Sequence, residues 1–485
     1  MRAHYDYTIV GGGPSGIYSA LRLAELGYKV CLIESLESLG GCHRVRYADT
    51  KSQPSKDAIH TEHGPRVYLG AYVEFWKWIQ EIHITRDTHF SEYQFGLLTQ
   101  MKENSVRYYI SQFSLGELLH LTLAYCKQCI LKIQYSYQYT VEDFMNDASF
   151  STNGRDRLDK FCRLIDGGNA DKTLLGPFLD GLDIGVMYKI YQPNEPMDTL
   201  VWDKFHKLLL SHKVSVLLNT NVTKVSKGLL VTDRGPVRSK RIIISCPPYA
   251  INNIQGAPEL LGYNKHTFQK ISSYQRYESY ICFTVVFSKK SATHSWGIAD
   301  NHPWGLQIID MGYYFKGVTG SLFIISITHP DKIDSVTHKT ANQMGKDEVV
   351  DRVVQLVQER YKIYDEPIQK ALSPSVRKVN NEWIDHDQAF MLSPHGWLHP
   401  DLRIGDKNNI WTTGHHMGNS GHTYNGMESA IHNAIHLLRR IEPTFTHDIN
   451  ESWRMSQAIQ MIILIIVISL SYYYRRALQR FIKKL

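Results

Sequence analysis

Residues 6–34 read DYTIVGGGPSGIYSALRLAELGYKVCLIE, and the chemistry they suggest is the holding of a pyrophosphate. Gly11, Gly13 and Gly16 stand at the spacing G-x-G-x-x-G, with Pro14 and Ser15 inside the turn and Glu34 closing the next apolar run. Gly11 permits a tight turn, Gly13 lets the backbone come close to phosphate, and Gly16 lets the following helix lie against a sheet. The helix start offers unpaired N–H groups and positive dipole to an anion. Glu34 is placed to accept from adenosine ribose hydroxyls, and an acid there disfavours the 2′-phosphate of NADP. By itself the pattern leaves FAD and NAD both open.

Three histidines and two cysteines form further clusters. His415, His416 and His422 fit no standard metal-ligand spacing and have no cysteine beside them, so no metal site is expected. One of them could serve as an acid/base, since imidazole titrates near neutrality. Cys126 and Cys129 make a lone C-x-x-C within the helical-looking stretch 117–139, where core thiols are expected rather than a redox pair.

For the glycine turn to work, Tyr7–Val10 must be a strand and Val30–Ile33 a second. Between them Ile17, Ala20, Leu21 and Ala24 recur at helical spacing. A chain of 485 residues has room for two to three such units. The net charge is +7, but Arg475, Arg476, Arg480, Lys483 and Lys484 supply five of those charges at the tail, so no basic nucleic-acid footprint is expected. The seven cysteines are scattered, and no charged-then-apolar leader precedes the first strand, which points to a reduced body facing the cytosol. Residues 458–474 read AIQMIILIIVISLSYYY, about 25 Å of uncharged helix ending in three tyrosines and then cations. This predicts a single-pass C-terminal membrane anchor, short enough for a thin bilayer such as the endoplasmic reticulum or mitochondrial outer membrane.

Beyond the first turn, four segments resemble the flavin amine oxidase and protoporphyrinogen oxidase superfamily. Gly40-Gly41-Cys42-His43-Arg44 is similar to its second glycine pair with arginine, and 61–68, TEHGPRVY, to its Gly-Pro-aromatic segment near the flavin. Val214–Ile251 resembles its returning strands, and 409–434, NIWTTGHHMGNSGHTYNGMESAIHNA, its closing strand, glycine turn and helix. The resemblance implies noncovalent FAD held by the first turn and by Gly41, Arg44, Gly64, Pro65, Arg66, Val67, Gly414, Met427 and Glu428, with Val222 meeting the adenine through its backbone. A helix opened by 426–430 would aim its positive end at the ring and favour the reduced anion.

Several positions depart from that family. Cys42 stands where its arginine does, and Arg44 sits two further on. His415 and His416 follow Gly414 in place of an acid. Gly426 replaces an aromatic-cage tyrosine, with Tyr424 two residues away. No cysteine follows Cys282, so a cysteinyl-flavin thioether is excluded. Phe390 and Trp383 are candidate aromatics, Phe390 for the second cage wall. Lys270 and Lys316 fall in the half of the chain where a lysine near flavin N5 is common, without its context. The candidates for catalysis are Phe390, Tyr424 and His416.

The expected fold is α/β. A doubly wound FAD-binding domain (1–75, 196–255, 401–441) interleaves with a mixed-sheet α+β substrate domain (76–195, 256–400), then a linker (442–457), the anchor (458–474) and a basic tail (475–485). The implied reaction is hydride transfer from a small-molecule substrate to flavin N5, with oxygen as acceptor. Three readings stay open: an amine oxidase, a porphyrinogen or polyene oxidase acting on an apolar membrane substrate, and an inactive FAD-binding membrane scaffold.

Overall fold

The computed structural model describes residues 4–47, 60–61, 67–93, 110–136, 138–166, 168–185, 187–262, 277–278, 280–291, 302–385, 390–391, 409–418, 420–422 and 426–482. The chain opens with β1 (His4–Val10), α1 (Pro14–Glu25) and β2 (Val30–Ile33). Pro14 starts α1 where a missing N–H costs nothing. Next come α2 (Val73–Trp78), α3 (Leu115–Tyr125) and α4 (Leu175–Gly185). The returning segment supplies β3 (Ser215–Leu217), β4 (Val222–Ser226), β5 (Leu229–Thr232) and β6 (Gly235–Ile244). Then follow β7 (Ile281–Phe287), β8 (Leu306–Asp310), β9 (Ser321–Ile327), α5 (Lys346–Tyr361) and β10 (Gln369–Leu372). The last elements are β11 (Ile410–Thr412), α6 (Met427–Ile441) and α7 (Met455–Ile482).

The first sheet runs β3-β2-β1-β6-β5-β4, with β11 also paired to β6. β1, β2, β3, β6 and β11 are parallel, while β5 and β4 fold back antiparallel. Its alternation sorts the core. Ile9, Leu32 and Ile243 face a cluster with Ile17 and Leu21 of α1 and Ile431, Ile435 and Leu438 of α6. Val10, Ile33, Ile242, Ile244 and Ile410 face the other way, against Val222, Val225 and Ile251. Burial on both faces is what a parallel sheet requires, and it explains the unbroken apolar runs.

The second sheet has the order β8-β9-β7-β10. A mixed sheet was the expectation for this region; all its pairings are instead antiparallel. The ten-residue return between β8 and β9 is too short for a parallel crossover, so these neighbours pair as a hairpin. One face packs on Val349, Val353 and Val357 of α5, and the other meets Tyr93 and Met311. The helical reading of Leu158–Tyr191 holds only to Gly185, because Ile190–Pro193 form a strand between Tyr68–Leu69 and Phe90–Tyr93.

The expected linker, 442–457, is tied to the body, and its last three residues already open α7. Glu442 is buried and accepts from Tyr7, Tyr28 and Arg241. His447 and Asn450 engage the Glu74 carboxylate at 2.8 Å. Of the Pro, Asp and Asn residues that signal a linker, Asn450 has a buried partner in Glu74, while Asp448 faces solvent. α7 then leaves the body. It is long and apolar enough to cross a membrane over Met455–Arg476, and from Met461 to Arg476 its side chains are exposed, Ile466 at 51%.

Candidate functional site

A cavity of about 400 Å³ opens where β1, β2 and β6 end, and three sequence-remote blocks line it. The first turn contributes Gly11, Gly13 and Pro14, and beyond it come Glu34, Gly41, Cys42 and Arg44. The returning strands contribute Thr220 to Thr223 and Ser245 to Pro247, and the closing block Gly414, His415 and His416.

The turn is built as its spacing predicts. Gly11 has φ +105°, and a Cβ on Gly16 would stand 2.0 Å from the Gly11 carbonyl oxygen, so the helix can approach only as glycine. Ser15 does not line the cavity; its hydroxyl meets that of Ser245 at 2.7 Å and fixes α1 to the end of β6. Glu34 is 6% exposed. One of its oxygens accepts the Gly12 N–H at 2.7 Å and the other accepts from Leu36 N–H at 3.0 Å and the Ser35 hydroxyl. The carboxylate is therefore oriented and still has lone pairs for hydroxyl donors. Burial pulls the Arg44 guanidinium below its usual range, with Glu34, Glu37 and Asp198 opposing, which sets a desolvated cation in the cavity wall.

At the closing block, Gly414 has φ +147°, and a Cβ there would stand 2.6 Å from the His416 ring. Asn433 of α6 donates to the carbonyls of Gly414 and Met417 at 2.9 and 2.8 Å, so the helix holds the turn. Burial lowers His415 to about 4 and keeps it neutral, and its buried Nε2 has no protein hydrogen-bond partner among the described residues. His416 is 1% exposed and lines the cavity. His422 lies apart, edge-on to Tyr72 and His432, with burial, His432 and Arg454 lowering it to about 3.

Other expected site residues fall elsewhere. Met427 and Glu428 do not line the cavity. Met427 is in the core beside α1, and the Glu428 carboxylate caps α2, accepting from Glu74 and Phe75 N–H at 2.8 and 2.9 Å and meeting His432 at 3.1 Å. A carboxylate at that helix start satisfies orphan donors, and this explains its type without a cofactor. Val67 packs with the second-sheet cluster. Trp383 is a core residue, its indole donating to the Ala341 carbonyl at 3.0 Å. Lys316 is exposed. Gly64, Pro65, Arg66, Lys270 and Tyr424 lie outside the described residues, as does the Phe390 side chain, whose backbone pairs with Glu278. Cys129 is buried with its thiol turned to the Leu179 carbonyl, and burial raises its pKa. Sequence reading missed Gly12, whose N–H orients Glu34, and Thr220, Asn221, Ser245 and Tyr249. The Pro247-Pro248 break after β6 was the one local signal near them.

The set fits a dinucleotide. A glycine backbone and helix start suit a pyrophosphate, an oriented acid suits ribose hydroxyls, and a buried cation and an unpartnered imidazole nitrogen remain for polar groups.

Residues 9–82 match the family described as NAD(P)-binding Rossmann-like domain. Curated relatives match over short stretches. A dihydrolipoyl dehydrogenase of Trypanosoma brucei brucei is 38% identical over 72 residues, 15% of this chain and 13% of that protein. The FAD-dependent oxidoreductase dbaF of Emericella nidulans is 43% identical over 63 residues, 13% of this chain and 12% of that protein. The chain thus matches only about an eighth of these relatives' length. Solved structures extend the likeness to the whole fold. Putrescine oxidase has a TM-score of 0.63 at 14% identity over 90% of this chain and 99% of its own. An oxidoreductase from Methanosarcina mazei gives 0.61 at 10% identity, over 90% and 100%. A candidate protoporphyrinogen oxidase from Exiguobacterium sp. 255-15 gives 0.57 at 13% identity, over 90% and 98%.

Proposed function

Starting from a Rossmann-like domain on the fold of the flavin amine oxidase-like superfamily, we propose that this chain is an FAD-dependent oxidoreductase. The observation that carries the reading is convergence: Gly11 and Gly13, Glu34, Arg44, Val222 and the Gly414–His416 turn come from three distant blocks and line one cavity. In this reading the first turn and the start of α1 take the pyrophosphate, Glu34 the adenosine ribose, Val222 the adenine, and the Gly414 turn the region toward the ring. The first sheet with its returning strands is the cofactor domain, the second sheet forms the substrate domain, and α7 is a single-pass membrane anchor.

Bound there, FAD supplies two-electron redox chemistry, drawing a hydride equivalent from a substrate C–H bond, with oxygen as the proposed final acceptor. The protein's share is orientation and exclusion of water. An amine substrate must arrive neutral, because only the free base has the lone pair that assists C–H cleavage, and a buried apolar site favours that form. His415 is neutral and buried, so it can accept a hydrogen bond, or donate one, without holding charge at pH 7. The exposed apolar α7 favours a second reading, an oxidase of apolar porphyrinogen or polyene substrates dissolved in the membrane.

The test is an absorption spectrum of the full chain purified in detergent, followed by anaerobic mixing. Bleaching of the flavin band by amines supports the first reading, and bleaching by porphyrinogens or polyenes the second. Bound flavin that no substrate bleaches means a scaffold. A folded, colourless protein that takes up no FAD overturns the proposal.

A further inference from the structure

α3 carries an apolar face that no described residue covers. Leu115, Leu119 and Leu123 recur every fourth residue and are 85%, 58% and 57% exposed. Leu131 and Ile133 continue the face beyond the helix at 64% and 53%. The orientation is built in. Ser114 and Glu117 form a capping box, and the buried Glu117 carboxylate also accepts Ser151 N–H at 2.7 Å, which locks the opposite side of α3 to the body. Glu117 is the one acid between positions 115 and 134, so no carboxylate is exposed on this stretch, whereas Lys127 and Lys132 are. Lys127 lies 4.1 Å from the Tyr135 ring centroid, and Tyr135 stacks on Tyr139. Apolar side chains bordered by tyrosines and lysines are the composition of a lipid interface.

What covers this face follows from its neighbour. Gln460, in the second turn of α7, donates to the Ile130 carbonyl at 2.8 Å. One buried carboxylate, Asp183 of α4, accepts from Tyr125 at the end of α3 and from both the N–H and hydroxyl of Ser456 in α7. The exposed apolar run of α7 begins at Met461, immediately after the residue that touches Ile130. The leucine face therefore borders the point where α7 leaves the body.

We infer that this face of α3, with Leu131 and Ile133, lies in the interfacial layer of the same bilayer that α7 enters, with Lys127 and Lys132 toward anionic headgroups. The chain then meets lipid at two places, and the body is held at a fixed tilt instead of swinging on one helix. The inference rests on the reading of α7 as an anchor.

The test places a photo-reactive benzophenone side chain at position 119, and in a second sample at position 466, of the full chain. Each is reconstituted into phosphatidylcholine vesicles containing some phosphatidylserine and irradiated. Position 119 is 58% exposed, so the probe leaves the core intact. Lipid adducts at both positions, in comparable yield, are the expected result. Adducts at 466 with none at 119, or at 119 only to a second copy of the chain, overturn the inference and leave the anchor standing. Lipid adducts at 119 alone, or at neither position, overturn the anchor reading and with it the two-point arrangement.

Discussion

Both halves bury their strands and close carboxylates such as Glu442 and Asp334 on protein donors, but the first-sheet half also turns a set of buried polar groups toward a cavity. In the second-sheet half, Asp334 is wholly buried and fully answered. Arg352 donates to both of its oxygens at 2.8 and 3.1 Å, and His302, Thr337 and Val336 N–H complete the set. Asp310 is likewise closed by the Ser321 hydroxyl and by Gly312 and Leu322 N–H. In the first-sheet half, Glu34 is held by Gly12, Leu36 and Ser35, and with Arg44 and His415 it lines a cavity. A polar network closed on itself serves the fold, and one left open at a cavity has capacity for something else.

The sharpest way to break this comparison is Asp334→Ala. It leaves Arg352 buried and uncompensated, and chemical unfolding should show a loss of about 3–5 kcal/mol. The flavin bound per folded chain should not change. Gly16→Val tests the other half: with a Cβ 2.0 Å from the Gly11 carbonyl, α1 must shift, at about 1–3 kcal/mol. Here the flavin absorbance of purified protein should fall to near nothing. Glu34→Gln keeps the shape but loses a charge-assisted bond to Gly12, so a flavin titration should give a Kd weaker by roughly tenfold.

Acid separates the halves by degree. His422 has an ordinary value of 6.5 that burial, His432 and Arg454 lower to about 3. The unfolded chain then takes a proton that the folded one refuses, so this stability is present above about pH 6.5 and drains between there and about pH 3. The slope is at most about 1.4 kcal/mol per pH unit. Asp334 is depressed by Arg352 and its other donors against its burial, so its contribution is intact above the ordinary carboxylate range and falls only below about pH 4. Unfolding curves at pH 7, 5.5 and 4.5 should show a drop that His422→Gln reduces and Asp334→Asn does not. Part of the drop should survive in His422→Gln, because burial also lowers His415 and His329 to about 4.

The parts legible in the sequence were those whose physics is local. The first turn, α1 and Glu34 lie within 34 residues, and each glycine has a steric reason at its own position. The seven-stranded sheet could be outlined because β6 and β11 carry apolar runs of their own. The capping role of Glu428 was not legible, because its partners, the N–H groups of Glu74 and Phe75, stand more than 350 positions away. Motif likeness set it at the cofactor, and only the folded chain shows it capping a helix. Glu442 was read into a linker for the same reason, since nothing local reveals Tyr7, Tyr28 and Arg241 waiting for it. Thr220 and Asn221 reach the cavity from the loop between β3 and β4, and Tyr249 from the short helix Pro248–Asn252, and their types carry no signal.

Asp183 has a practical consequence for anyone shortening the chain for crystallisation. A cut just ahead of Met455 would strip this carboxylate of both Ser456 donors and bare the ends of α3 and α4, so insolubility of that fragment would say nothing about lipid. A stop codon placed after Gln460 would discard the outward-facing apolar run and the basic tail and leave the seam sealed.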